Sequence, residues 1–253
     1  ETLYGRTIMA SYHGLWSLAG FAGAFIGSAF TSIGWLPWQH FLVIMGITLV
    51  IVFGTSSRLL PRDAAAGNGQ PIFAKPDRSL IDLGIIAFCS MICEGAMFDW
   101  SNVYFQRVIH PPKALAGLGL TAFMCTMASG RFLGDWLTTR YGIRRILRFS
   151  GTLTATGLLI AIGFPWLLPA LLGFLFVGAG VSSVIPLVYS AAGRSKVLSP
   201  GVALAAVSTI GYLGFLFGPP FIGFIAQAFS LRMSLGLIAI LGSIIALFAS
   251  RVK

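Results

Sequence analysis

Charge is what this sequence has least of. Only 9% of its 253 residues are charged, and just 7 are acidic. A soluble domain carries about 25% charged residues. A chain of this length can bury a core, but this one lacks the polar surface to hold that core in water. Cysteine is scarce too. Cys89, Cys93 and Cys125 show neither metal-ligand spacing nor a disulfide framework, which leaves them as small helix-packing residues. There is no His/Cys/Asp/Glu cluster at metal spacing, no phosphate-binding P-loop, no glycine-rich loop after a strand and no serine elbow. The expectation is a protein with no catalytic residue, no metal and no cofactor, and not an enzyme. A selectivity filter or charged pore ring is also missing, which argues against a channel. The N-terminus has no basic n-region and no small-residue cleavage site. The chain begins at Glu1 and turns helical almost at once, the pattern of the later part of a longer protein.

What is present is apolar. Hydrophobic residues make up 57% of the chain, and the mean hydropathy is +0.88. Crossing the hydrocarbon core takes about 20 apolar residues in a helix. Eight such segments are expected, near 12–33, 38–60, 80–105, 114–138, 145–164, 167–191, 201–228 and 231–250. The predicted class is therefore all-α and polytopic, with the lipid bilayer as solvent. One connection is long: residues 61–79, broken by Pro61, Gly67, Gly69, Pro71 and Pro76, read as a linker. It divides the chain into 1–60, with two helices, and 80–253, with six.

Basic residues set the orientation. With these spans, 13 of the 17 Lys and Arg residues fall on one side of the membrane; Arg107, Lys113 and Arg232 fall on the other, and Arg131 lies within a helix. The alternation holds loop by loop, so both ends of the chain are expected in the cytoplasm. It also accounts for the net charge of +10. A nucleic-acid partner would need those charges on one surface, and they are scattered between helices.

Small residues recur. Gly20, Gly23 and Gly27 match Gly211, Gly214 and Gly218 at a constant offset, with Ser17 and Ser208 at the same distance before each run. Such spacing lets helix backbones approach closely in lipid. Two unrelated glycine-rich helices would look alike; a parallel transporter repeat is the sharper reading. With a six-helix unit, the first span becomes the fifth helix of one half, and spans three to eight form a complete second half. The linker falls where that scheme needs it.

The run from Gly130 to Arg145 resembles the cytoplasmic "motif A" of the major facilitator superfamily. Arg140, Gly142, Arg144 and Arg145 fit; Thr139 stands where the motif has Asp, and Asp135 lies one turn earlier. The segments His13–Ser17, Glu94–Trp100, Ser190–Arg194 and Gly211–Gly223 are similar to a bacterial branch near the fucose-permease-like sugar symporters. The resemblance implies helices five to twelve of twelve, a bacterial inner-membrane location, and a functional unit with four further helices before Glu1.

An ionisable group in a membrane helix is a functional candidate by default. Glu94, Asp99, Arg131 and Asp135 qualify. Gly95, Asp99, Asn102 and Gln106 recur on one helical face, and such a stripe must meet protein or a water-filled cavity. Glu94 or Asp99 would bind a polar substrate or take up a coupling proton. The alternatives are a solvated Asp99 at the outer interface and a protonated Glu94 bonded to a neighbouring helix. Arg131 and Asp135 are spaced for an intrahelical ion pair. With Arg140, Gly142, Arg144 and Arg145, the resemblance implies a conformational latch near the cytoplasmic end of the fourth span. His13, at the mouth of the first span, reads as interfacial or as a proton relay. Ser182, Ser183, Tyr189 and Tyr212 are weaker cavity candidates, because helical hydroxyls often bond their own backbone. Pro186 and Pro219–Pro220 permit bends. Trp35, Trp38, Trp166 and Tyr104 read as interface anchors.

The combined reading is a secondary active transporter for a small polar solute, a sugar or related metabolite, working by alternating access with proton coupling. An exporter of the same fold is the alternative, mildly disfavoured because Gly20–Gly27 lacks the Gly-Pro pair of the superfamily's antiporters. A non-transporting remnant or membrane scaffold is a third.

Overall fold

The computed structural model describes residues 8–57, 78–112, 115–195 and 198–252. Among them are nine α-helices and no strand: α1 (Met9–Ser32), α2 (Pro37–Ser56), α3 (Arg78–Tyr104), α4 (Leu118–Tyr141), α5 (Ile143–Gly163), α6 (Leu167–Ser182), α7 (Val184–Gly193), α8 (Pro200–Ala228) and α9 (Leu231–Phe248). They account for the eight expected spans, because α6 and α7 together are the sixth. Trp38–Ser56, Leu80–Ile109, Ile143–Gly163, Leu167–Gly193, Pro200–Ala228 and Leu231–Arg251 are long and apolar enough to cross a membrane by length and composition. Helix α4 is outside that set because it carries Arg131, Asp135 and Arg140.

Three expectations are corrected in detail. The sixth span is not one helix. Pro186 has no N–H to offer the Ser182 carbonyl, and the α-helix breaks at Ser183 before resuming as α7. The third span does not stop at 105. It runs on through a π-helical turn, Phe105–Ile109, and ends where His110 enters the left-handed region at φ 51°. The linker is shorter than 61–79, since Arg78 and Ser79 already belong to α3; residues 61–77 lie outside the described residues.

The chain forms two compact units, Glu1–Gly14 with Pro71–Lys253, and Leu15–Gln70. One boundary thus falls inside α1 and the other within the expected linker. In the smaller unit, the apolar side chains of α2 described are exposed, as lipid-facing ones would be, and Phe30 stacks on Trp35 with ring centroids 4.6 Å apart. Gly23 has open space where a side chain would be, while Gly20 and Gly27 fall among positions whose surroundings are not described.

The larger unit is a bundle built by close backbone approach. A Cβ on Gly157 of α5 would stand 2.5 Å from the Gly173 carbonyl oxygen of α6. On Gly214 of α8 it would stand 2.5 Å from the Phe88 carbonyl oxygen of α3. Gly211 and Gly218 face Ala87 and Ile92 of the same helix. Contacts this close are how helices gain dispersion energy in lipid, where no hydrophobic effect drives them together.

The buried side chains form two clusters. One holds Leu80, Ile86, Met91, Leu147, Val184, Val207 and Ile245. The other holds Met97, Tyr104, Phe123, Met127, Leu158, Val181 and Ile238. Where helices pass from one cluster to the other, the residues at the seam are polar or small. They are Glu94 on α3, Ser150 and Thr154 on α5, Ser182 and Ser183 at the α6–α7 break, and Gly242 on α9. The chain therefore has a polar layer between two apolar ones.

Helices α4 and α5 are joined by one residue, Gly142, whose N–H donates to the Thr138 carbonyl at 2.9 Å with φ 81° and ψ 150°. That region is essentially open to glycine alone. Gly142→Ala is expected to lower unfolding stability by about 1–3 kcal/mol, whereas Gly23→Ala, in a helix with space around it, is expected to raise it by about 0.4–1 kcal/mol. Thermal unfolding of the two purified variants distinguishes them.

Candidate functional site

Glu94 lies beyond the middle of α3 and Arg131 near the middle of α4, where α3, α4 and the α6–α7 break meet the seam. Arg131 Nη2 donates to Glu94 Oε1 at 2.9 Å, with the side chains 3% and 6% exposed. This corrects the expected pairing. Arg131 reaches across to α3, and the carboxylate of Asp135 is turned to another helix. Arg131 is also not near the end of its helix; it is deep in the bundle. For Glu94 the arrangement adds a partner that the sequence reading did not name, the buried guanidinium of Arg131.

Asp135, one turn on and half-buried, accepts three hydrogen bonds from the start of α1. The donors are Ala10 N at 3.1 Å, Ser11 N at 2.8 Å and Ser11 Oγ at 2.6 Å. Ala10 and Ser11 sit in the first turn of α1, whose N–H groups have no intrahelical acceptor. A carboxylate there satisfies those donors and faces the positive end of the helix dipole. Nothing in the residue order points to this partner; the only local signal is that no acidic residue stands in α1's own first turn. Arg140 lies over the rings of Trp136 and Tyr141 at 5.6 Å and 5.8 Å. Arg144 Nε donates to the Val252 carbonyl at 2.9 Å, tying the start of α5 to the segment that follows α9. Arg145 is exposed. Arg251 reaches Asp82 at 3.5 Å on the same side.

The other candidates separate. His13 and Tyr189 approach each other with ring centroids 6.0 Å apart, close enough to the ion pair for Glu94 to act on both electrostatically. His13 Nδ1 also lies 3.0 Å from the Met9 carbonyl. The Tyr189 hydroxyl, beside Ser208 of α8, is buried without a partner in hydrogen-bond geometry, as is the Ser90 hydroxyl one turn before Glu94. Ser182 is buried and donates to the Ala179 carbonyl at 2.7 Å, so its hydroxyl serves its own helix. Ser183 Oγ bridges to the Gly130 carbonyl at 3.4 Å.

The residues of the expected polar stripe have different surroundings. Gly95 lies under α8, where a Cβ would be 3.2 Å from Pro219. Asp99 is exposed. Asn102 is half-buried with Oδ1 unpartnered, and Gln106 is exposed in the π-helical turn, which spoils the 3.6-residue spacing that put it on the stripe. Tyr212 is 60% exposed on α8. Trp100 instead packs against α8 and donates from Nε1 to the Pro219 carbonyl at 3.1 Å.

The chain matches the family model of the Major Facilitator Superfamily over residues 5–197 and 83–252. An MFS-type transporter of Yersinia pestis, itself uncharacterized, is 33% identical over 241 residues, 95% of this chain and 62% of that protein. Transporter y4wD of Sinorhizobium fredii is 30% identical over 258 residues, 100% of this chain and 67% of that protein. The chain thus spans about two thirds or less of these relatives. The fucose:proton symporter FucP of E. coli superposes at a TM-score of 0.78 and 17% identity, over 95% of this chain and 67% of FucP. A FucP structure in the outward conformation gives 0.79 at 16% identity, over 97% and 67%. At such identities the likeness is one of fold.

Asp135→Ala removes the acceptors of three hydrogen bonds and, among the described residues, the only carboxylate bonded to the start of α1. Loss of a cap of this kind costs about 0.5–2 kcal/mol. The expected result is a lower unfolding midpoint with faster amide exchange confined to the first turn of α1; uniform exchange change across the bundle would contradict the capping role.

Proposed function

The chain belongs to the major facilitator superfamily, and from that premise we propose that it works as a secondary active transporter, moving a small polar solute by alternating access. The observation that carries the reading is the Glu94–Arg131 pair, two charges held out of water and lipid between apolar layers. Buried charges in a membrane bundle are costly, and retained ones mark solute or ion pathways. Glu94 is the group that exchanges a proton or a solute hydroxyl for its contact with Arg131. His13 and Tyr189 stand beside it as polar neighbours. Asp135 on the α1 terminus acts as a latch on what is proposed to be the cytoplasmic side of a bacterial inner membrane, with both ends of this chain on that side. The solute is a sugar or related metabolite and the coupling ion a proton, a reading to which the fold of the FucP symporter lends support.

Uptake in proteoliposomes under an imposed proton gradient tests this. The wild-type protein is expected to accumulate a labelled sugar or polyol in response to the gradient. Glu94→Gln is expected to lose that response and Asp99→Asn, on the exposed face, to keep it. Wild-type gradient dependence in Glu94→Gln would remove Glu94 as the coupling group, and no response to any neutral sugar or polyol would overturn the substrate class.

A further inference from the structure

A cavity of about 490 Å³ opens between α4, α5 and α6. Its wall is almost wholly apolar, with Leu133, Leu137, Phe149 and Leu153 on its sides and Ala179 and Ser182 at its inner end. Leu133 and Phe149, 55% and 63% exposed, flank its open side. Tyr141 and Arg145 stand at its other end, where α4 turns into α5. From Tyr141 back to Gly130 the groove follows α4 for about 16 Å at 1.5 Å per residue, a depth of roughly one membrane leaflet by comparison with a hydrocarbon core of about 30 Å.

The mouth is strongly cationic. Arg140, Arg144, Arg145 and Arg148 crowd the α4–α5 turn, and among the described residues no carboxylate lies within ion-pair distance of any of them. Among the described residues, the acids that are not exposed are committed elsewhere: Glu94 to Arg131, Asp82 to Arg251, Asp135 to α1. Helix α5 starts at this turn with no side-chain cap and no acid in its first turn. Its orphan N–H groups therefore add a second, independent attraction for an anion.

We propose that this groove binds an anionic phospholipid of the leaflet that holds the α4–α5 turn. One acyl chain lies along α4 between Leu133, Leu137, Phe149 and Leu153, and the phosphate headgroup rests at Arg145 and the start of α5. Apolar length and charge placement fit one occupant: a lipid with no net charge would bring the arginines no net counter-charge, and a free phosphate would leave the groove empty. Basic pockets between membrane helices take anionic headgroups for this reason. The inner end of the groove reaches Ser182 and Ser183, where the sixth span breaks and Ser183 meets Gly130, the residue before Arg131. Occupancy therefore braces the break that adjoins the buried ion pair.

Delipidated protein in detergent is titrated with phosphatidylglycerol, with phosphatidylcholine of the same chains, and with glycerol 3-phosphate, and adducts are counted by native mass spectrometry. Phosphatidylglycerol is expected to bind at least about fivefold more tightly than phosphatidylcholine, the equivalent of one arginine near an anionic headgroup, and glycerol 3-phosphate not to compete. Arg145→Gln is expected to weaken phosphatidylglycerol by about fivefold. Ala179→Phe, which fills the groove, is expected to abolish the adduct while keeping monodisperse elution; if that variant does not elute so, Leu153→Phe fills the same space from α5. Equal binding of the two lipids, an adduct surviving in a filled groove, displacement by glycerol 3-phosphate, or a protein dimer in place of lipid adducts would each overturn the proposal.

Discussion

A carboxylate and a guanidinium placed where neither water nor lipid headgroup can reach depend on the protein groups around them, and on each other first, to lower their energy. Glu94 and Arg131 are in that position, and the bundle is arranged around them. Apolar side chains of one cluster end below the pair and those of the other begin above it. The seam carries Ser150, Thr154, Ser182 and Ser183, groups small enough to let helices close and polar enough to tolerate a neighbouring charge. Removing one partner leaves an uncompensated buried charge, which costs about 3–5 kcal/mol in proteins where it has been measured. The two helices are therefore held in register by a constraint that packing alone does not impose.

Scarcity of acids governs the end of the bundle in the same way. Each described acid that is not exposed has a definite partner. Glu94 answers Arg131, Asp82 answers Arg251 and Asp135 answers the dipole of α1. Arg131 and Asp135 are barely more than one turn of α4 apart, and Gly130 and Gly134 in that turn face Ser182 and Ser183. A short, closely packed path thus runs from the ion pair to the α1 terminus. In the proposed cycle this path is what would couple solute or proton arrival to opening of the latch.

Much of the fold is legible in the sequence because it follows from one-dimensional quantities. Span count comes from apolar length, and the expected orientation from the placement of arginines. The family can be read from Gly142 and the basic residues that flank it. Partner choice is what the residue order does not disclose. The i, i+4 spacing of Arg131 and Asp135 is equally suited to an intrahelical pair, and nothing local says that Glu94 is nearer or that Ser11 would claim Asp135. The spacing of the polar stripe assumes an unbroken 3.6-residue helix, whereas Gln106 lies in a π-helical turn and Gly95 packs against Pro219. Pro186 foreshadows the break at Ser183, but a proline permits a bend without saying whether the helix is interrupted.

Whether Glu94 and Arg131 act as one unit is measured directly by a double-mutant cycle. Unfolding of the wild type, Glu94→Gln, Arg131→Gln and the double variant is followed in one detergent. Each single change is predicted to destabilise by about 3–5 kcal/mol, and the double change by less than either, because no charge is left unanswered. Additive losses, or an Arg131→Gln variant as stable as the wild type, would show that the pair does not organise the bundle.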